Sequence, residues 1–416
     1  MVLNKQAFYK LLFITSLLLP QMPPIFGRSE FHINIYVFVV SVFLLFKYPK
    51  IDKSRSVIPL GYFLLFQFLL IGSYWLGVED FGGLSDIPSY YRPIMLMVIT
   101  LAFLILMEDY KIVYESTLHI IRILVFLVFF YSVLEVFAFD IFSSFFHTFY
   151  RLEDKDNIDG VAVSFFTLPY YSAYILNTFF LFLLSEHNRN KSFKSFVYVL
   201  ICILSIFLAQ SKMGIALCFA ILFAFYFMQS KIISKAIILS IFIVFMTLLY
   251  FYLYDFVLFM KKEYGGHLFT TLYVMMAHTE QSGNLMERVS DIYDTYRLIE
   301  NNNYFIGVGL GKGVTIETWI ASLMYRYGLL GLGFFIAVYL FAGFYCWYLS
   351  SKENDFYRSE LLKICSIWAL TLFISQLSGF MMEVSKSAVV SCFMLALVAF
   401  SLNKNKSPSV ILERNP

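Results

Sequence analysis

The sequence predicts an all-α polytopic membrane protein with about 12 transmembrane helices and one large outer loop between spans nine and ten. Three observations carry that prediction. Of the 416 residues, 60% are hydrophobic and 14% are charged, against roughly 45–50% apolar and about 25% charged in soluble domains. The apolar residues fall into long runs, and a helix needs about 20 of them to cross a bilayer. One long polar interval, 259–327, interrupts the runs late in the chain. A soluble globule of this length could not hide so much apolar surface. The composition therefore excludes a soluble enzyme, a secreted disulfide scaffold, a disordered tail and a nucleic-acid binder.

The runs lie, in order, at 7–27, 31–47, 56–77, 93–108, 118–139, 163–185, 195–210, 213–229, 236–258, 328–349, 361–381 and 387–402. The first carries Pro20, Pro23 and Pro24 and lacks a clear small-residue cleavage site, so it reads as a span, not a removable signal. Cys202, Cys218, Cys346, Cys365 and Cys392 all fall inside runs and read as small buried hydrophobes. The spans divide the chain into a bundle of spans one to nine over 1–258, the loop 259–327, spans ten to twelve over 328–402, and a cytoplasmic tail over 403–416.

Orientation follows from the bias of Lys and Arg toward cytoplasmic loops. With the N-terminus inside, the inner segments hold 18 cations, from Lys5 and Lys10 through Lys47, Arg55, Lys111, Arg189 and Arg358 to Arg414. The short outer segments hold six: Arg28, Arg92, Arg151, Lys155, Lys212 and Lys386. Both termini are therefore expected in the cytoplasm, with 259–327 outside. Within that loop, Leu285 to Glu300 places apolar residues at 285, 289, 292, 293, 296 and 299, which is helical spacing. The loop is expected to fold as a cap, and loops this long in compact proteins usually carry function.

Four constellations could carry chemistry. Gln210-Ser211-Lys212-Met213-Gly214 joins two runs with almost no loop, which makes a tight outer hairpin with a cation at its tip. Lys212 reads either as a point charge for a phosphate or as a snorkelling lysine. Arg288 and Arg297 are nine residues apart, about two and a half helical turns, so a continuous helix points them to opposite faces. Guanidinium forks suit a diphosphate; a salt-bridged surface helix with Glu287, Asp291, Asp294 and Glu300 is the plainer reading. Ile306-Gly307-Val308-Gly309-Leu310-Gly311-Lys312-Gly313 is not a nucleotide phosphate loop, because Ile306 and Gly313 stand where that motif requires Gly and Ser or Thr. It reads as a tight turn back to the membrane. Glu317-Thr318-Trp319 precedes the run containing Tyr325-Arg326-Tyr327-Gly328. Glu317 there is either a general base at the bilayer surface or an acid complementing a helix dipole.

Weaker signals complete the set. Tyr90-Tyr91-Arg92-Pro93 places a cation and ring side chains at an outer boundary, where aromatics are ordinary anchors. Asp154-Lys155-Asp156 is a short acidic match. The six His show no metal-ligand spacing, although His267 and His278 lie in the loop.

In their order and spacing these pieces resemble the O-antigen polymerase and ligase family of bacterial envelope proteins. The resemblance covers about residues 200–340 and rests on three stretches. Ser211, Lys212 and Gly214 match a Ser-Lys/Arg-x-Gly turn opening a mid-chain span. Arg288 with Tyr304 to Gly311 matches an Arg followed by a helix and a Gly-rich run, with Tyr304 replacing the usual Pro. Tyr327-Gly328-Leu329-Leu330-Gly331-Leu332-Gly333-Phe334-Phe335 matches the Gly-Leu-Leu-Gly span that follows. Where the ligase branch usually carries His, this chain reads Glu317-Thr318, which favours a polymerase.

The resemblance implies an inner-membrane protein that takes polyprenyl-diphosphate-linked oligosaccharide units on the periplasmic side and moves a growing chain onto a new unit. It implies no cofactor and no metal, with the lipid-linked glycan and the bilayer as partners, and leaves room for a chain-length regulator protein. On that reading Arg288 and Glu317 are the catalytic candidates. Lys212, Arg92, Arg297 and Ser211 are candidates for the diphosphate. Tyr293, Tyr296 and His267 are candidates for the sugars, with Tyr264, Tyr273 and Tyr304 as further ring surfaces. The alternatives are a ligase that moves finished glycan to a lipid acceptor, a flippase or transporter of lipid-linked sugars, and a structural scaffold. A flippase should carry paired charges at mid-span, but such charges are few here, and the clearest, Glu135, lies toward one end of its run.

Overall fold

The computed structural model describes residues 4–20, 31–50, 52–76, 90–150, 160–263, 265, 267–277, 283–309, 316, 318–382 and 384–403. Among these residues the regular structure is helical throughout. Twelve helices correspond to the twelve runs: α1 (Lys5–Leu18), α2 (Phe31–Lys47), α3 (Lys53–Leu76), α4 (Arg92–Leu106), α5 (Tyr110–Phe137), α7 (Pro169–Asn190), α8 (Phe193–Leu208), α9 (Lys212–Gln229), α10 (Ile232–Glu263), α13 (Trp319–Ser350), α14 (Phe356–Ser375) and α15 (Ser385–Leu402). Three more lie between them: α6 (Phe139–Phe149), α11 (His267–Ala277) and α12 (Gly283–Asn301). Among the described residues, five helices are long and apolar enough to cross a membrane, namely α3, α5, α9, α13 and α15, and α10, bent by 55°, makes a sixth if its two parts count as one span.

Side-chain chemistry explains the bundle. Helix α15 is its axis, with a run of buried residues from Ser385 through Ser401, and it packs against α4, α14, α3 and α7. Phe13, Phe103 and Phe393 meet edge to face at centroid distances of 4.7–6.0 Å where α1, α4 and α15 converge. The outside is apolar too. Phe46, Phe68, Ile241, Phe251 and Phe341 are each more than half exposed. A helix apolar on every side needs an apolar surrounding, so the chain is membrane-embedded.

The two ends of the bundle differ. At one end Lys5 pairs with Glu108 at 2.7 Å, Arg55 donates to the Met107 carbonyl at 3.2 Å, and Arg358 donates to the Ser401 carbonyl at 3.0 Å. At the opposite end Tyr150 donates to the Leu18 carbonyl at 2.9 Å and Gln210 to the Gly160 carbonyl at 2.7 Å. Between the ends, Arg122 forms an ion pair with the buried Glu186.

Three local departures from the sequence reading have clear causes. The sixth run was read from 163, but α7 starts at Pro169, which opens the helix at its first position. Residues 161–168 form a buried non-helical segment with a 3₁₀ turn at Ser164–Phe166. Glu135 accepts from the Val163 and Ser164 N–H groups at 2.9 and 2.7 Å. Lys386, buried in spite of its place among the outer cations, donates to the Phe165 carbonyl at 2.6 Å. Glu135 therefore seals backbone rather than serving as a mid-span charge.

The second departure is α13, which begins at Trp319 and not at 328. Gly328 has φ 62° and ψ −167°, a break inside the helix. Residues 304–308 fill the break. Val308 N–H donates to the Tyr325 carbonyl at 2.8 Å, and Leu329 and Leu330 donate to the Tyr304 and Phe305 carbonyls at 3.1 and 3.2 Å. A Cβ at Gly328 would stand 2.2 Å from the Phe305 carbonyl oxygen. The third departure is α6, a separate short helix after Ala138 with Ile141, Phe142 and Phe145 exposed.

Gly328→Ala is expected to cost about 1–3 kcal/mol, since it adds backbone strain to a clash. Gly333→Ala, whose Cβ meets nothing within 4 Å, should be neutral or slightly stabilising by helix propensity. Thermal unfolding of the two variants in detergent checks the contrast, and equal melting temperatures would refute the role given to the break.

Candidate functional site

Of the cations singled out in the sequence, Lys212 and Arg288 belong to one place at the Gln210 end and Arg92 to a second, while Arg297 joins neither. The first is built on the start of α9. Gln210 turns the chain with a left-handed φ of 47°. Ser211 then caps α9, accepting from Gly214 N–H at 3.2 Å. Gly214 lets α9 press against α7, since a Cβ there would lie 2.3 Å from that of Ala173. Asn177 locks the contact by donating to the Gly214 and Ala173 carbonyls at 2.9 and 2.8 Å. The Ser-Lys-x-Gly pattern thus has a physical meaning: serine ends the turn, glycine admits the neighbouring helix, and Lys212 is fixed at the helix mouth, half-buried.

Across from it stands Arg288, on the half-buried side of α12. The two cations are within electrostatic reach of each other, although 76 positions separate 212 from 288. Helix α12 packs on α13 through Ile292, Leu298 and Ile299, which meet Met324, Tyr325 and Val308. The predicted apolar face is buried only in part, at Ile292 and Ile299. Thr295 and Ile299 are buried, while Val289, Tyr293 and Tyr296 are exposed.

Arg297 is exposed on the other side of α12, as the nine-residue spacing required. It lies over the Tyr293 ring at 4.3 Å. The Tyr296 and Tyr304 hydroxyls are hydrogen-bonded at 2.7 Å. That bond, more than any other cause, raises the Tyr296 pKa above the ordinary tyrosine value. The phenol stays neutral and able to donate. His267 opens α11, and the next residue, Leu268, donates its N–H to the Gln210 side chain at 3.2 Å, which ties α11 to the turn before Lys212. Tyr273 lies under the Lys261 ammonium at 3.8 Å.

The second place is headed by Arg92, the first residue of α4, and Arg326, two residues before the Gly328 break. Both guanidinium groups act on the phenol of the buried Tyr327. Together they line a cleft whose other walls are mainly apolar. The sequence reading quoted Arg326 but gave it no role, because it lay next to an apolar run and nothing in the spacing showed that the helix would break beside it. Glu317, Lys312, His278, Tyr264 and the 154–156 stretch lie outside the described residues. Thr318 is described, and it caps α13 by accepting from Ala321 N–H at 3.3 Å.

No family model matches the chain, and no curated protein matches it. The chemistry must therefore be read from the residues. Fixed guanidinium and ammonium groups, half out of water, are suited to a phosphate or diphosphate anion. Among the described residues, no three His, Cys, Asp or Glu side chains gather as a metal site would require.

In the unliganded protein the Arg288 charge bears on Lys212 as a like charge. Lys212→Gln is expected to stabilise that state by roughly 1 kcal/mol, the scale of surface-charge optimisation. It should also abolish the rise in melting temperature that diphosphate gives the parent protein. Melting curves with and without inorganic diphosphate check both parts; a Lys212→Gln protein that still gains the full shift would remove Lys212 from the anion site.

Proposed function

We propose that the protein is an inner-membrane polymerase of O-antigen or related surface polysaccharide, joining polyprenyl-diphosphate-linked repeat units at the periplasmic face. The observation that supports this reading is that Lys212 and Arg288 lie within electrostatic reach of each other. They are the cations of the two polar stretches on which the family resemblance rests, and distant parts of the chain supply them. The positive-inside bias assigns the Lys5 end to the cytoplasm and the Lys212 end to the periplasm, with both termini inside and 12 spans.

The reaction asks little covalent chemistry of the protein. The acceptor sugar's hydroxyl oxygen attacks the anomeric carbon of the growing chain. The bond from that carbon to the diphosphate oxygen breaks, and the electron pair leaves on polyprenyl diphosphate. The hydroxyl proton passes to a base, for which Glu317 is the candidate. Lys212 and Arg288 stabilise the negative charge that gathers on the departing diphosphate, and pre-placed charge of this kind is a large catalytic term. Tyr293, Tyr296 and Tyr304, exposed or partly so beside Arg297, offer ring faces and hydroxyls to the glycan.

Arg288→Ala should abolish long glycan chains in cells while the protein still accumulates; chains of ordinary length would remove Arg288 from the reaction. A topology reporter fused after residue 280 should register as periplasmic, and a cytoplasmic signal would undo the orientation. Gel analysis of surface glycans after gene deletion separates the activities. One-repeat glycans support the polymerase, free lipid-bound long chains point to a ligase, and loss of exported units points to a flippase.

A further inference from the structure

We propose that α6 is an amphipathic helix lying along the membrane, with its free apolar side chains seated in the acyl-chain region of the leaflet at the Gln210 end. Its pattern, its direction and its neighbours carry this.

The pattern is one-sided. At 100° per residue, Phe139, Ile141, Phe142, Phe145, Phe146 and Phe149 fall within an arc of about 160°. Asp140, Ser143, Ser144, His147 and Thr148 fill the rest of the circumference. The bundle uses only one edge of the apolar arc, where Phe146 is buried. Ile141 is 79% and Phe145 47% exposed, and Phe142 and Phe149 are exposed as well. So dense an apolar surface on an 11-residue helix marks an interaction face.

The direction lays that face along the bilayer. Helix α5 ends at Phe137, and Ala138 breaks the backbone with φ −131° and ψ 28°. Beyond the break the chain returns. The rings of Phe145, Phe146 and Tyr150 meet that of Tyr131 at centroid distances of 6.4, 5.1 and 5.6 Å. Had the helix run straight on, Phe146 would stand about 20 Å beyond Tyr131. Contact between them requires α6 to turn across α5. Its far end is tied to α1, where Tyr150 donates to the Leu18 carbonyl at 2.9 Å. Helix α6 therefore lies near the levels of Tyr131 and Ala138, which are about 10 Å apart along α5. Amphipathic surface helices sit at a similar depth, about 5–10 Å into the boundary between headgroups and acyl chains.

The neighbours name the occupant. Phe126, Phe130, Leu134 and Phe137 form an exposed apolar stripe along α5, spaced as one face of a helix. In a membrane-embedded bundle such a stripe meets lipid, and it runs up to the start of α6. The free arc of α6 continues that surface. The helix carries no Lys or Arg, so it holds the bilayer through apolar area and not through anionic headgroups. On the bundle side, Tyr131 and Tyr150 pack on Phe165 at 4.6 and 5.0 Å, and Phe165 gives its carbonyl to Lys386. A helix seated in the leaflet thus braces the 161–168 segment from the lipid side. The inference rests on the membrane embedding of the bundle and is independent of the polymerase reading.

The test uses the full-length protein in phosphatidylcholine nanodiscs, with a nitroxide label on one introduced cysteine at a time. The five native cysteines are buried, so the label reports the introduced site. Labels on Ile141→Cys, Phe145→Cys and Phe149→Cys should collide with oxygen several-fold more than labels on Asp140→Cys, Ser144→Cys and Thr148→Cys. With a water-soluble nickel complex the order should reverse. All six positions are exposed, so the substitutions leave the buried Phe146 in place. The pattern should persist when phosphatidylglycerol replaces phosphatidylcholine. Equal nickel access on the two sides of α6 would overturn the seat, as would a pattern found only in the anionic lipid. Dipolar broadening between labels at 145 in proteoliposomes would give the face to a second copy of the chain and overturn it as well. In the parent protein, a phospholipid with a photoreactive acyl chain should crosslink to the peptide 139–149. Absence of that crosslink would refute the seat without any variant.

Discussion

A chain in hydrocarbon cannot leave peptide groups unpaired, because no water is present to take them. That constraint shapes the Gln210 end of this bundle. The backbone leaves the helix at 161–168 and at Gly328, and at each place something else supplies the missing bonds. Glu135 and Lys386 hold the first segment, and residues 304–308 hold the second. An irregular backbone sealed in this way is rigid, so the charged groups that flank it have fixed positions. Arg326 is two residues from one break, and the chain from Gly160 to Ala162 is bonded to Leu208 and Gln210, next to Lys212.

Lys212 and Arg288 bear on each other as like charges at this end. In water, counter-ions and solvent would screen Lys212 from Arg288 over a short distance. Half-buried, they keep much of their field, and the field is already oriented when an anion arrives. Asn177, Ser211 and Gly214 meet the structural demand by fixing α9 against α7. Their hydrogen bonds and contacts are local, so the lysine's position depends on the packing of two helices and not on the anion it is proposed to hold.

The sequence made some of this legible for simple reasons. Apolar runs report burial in lipid or protein, so each of the twelve appears as a helix. The tight turn at 210–214 was readable because so few residues join two runs that the chain must reverse there. Arg288 and Arg297 were assigned opposite faces from helical period alone, and one is half-buried while the other is exposed. What was hidden depends on contacts between distant segments. The break at Gly328 exists because residues 304–308 bond into it, and a Gly inside an apolar run gives no sign of that. Tyr293 and Tyr296 count as apolar in the periodicity yet lie exposed, while Ile292 and Ile299 pack on α13, since a ring that carries a hydroxyl is equally content at a wet surface. Arg326 went unassigned for the same reason as the break beside it.

The exposure of Tyr293 and Tyr296 follows from the same helix geometry that buries Ile299. Once Ile292, Leu298 and Ile299 dock on α13, a turn of 100° per residue carries Tyr293 and Arg297 to the open side. There the guanidinium stacks on the ring, which keeps both side chains extended along the surface instead of collapsed onto the bundle. One helix therefore presents a cation toward Lys212 on one side and a ring-and-hydroxyl surface on the other. A substrate that is anionic at one end and a sugar chain along the rest of its length, such as the one proposed above, would match this two-sided chemistry.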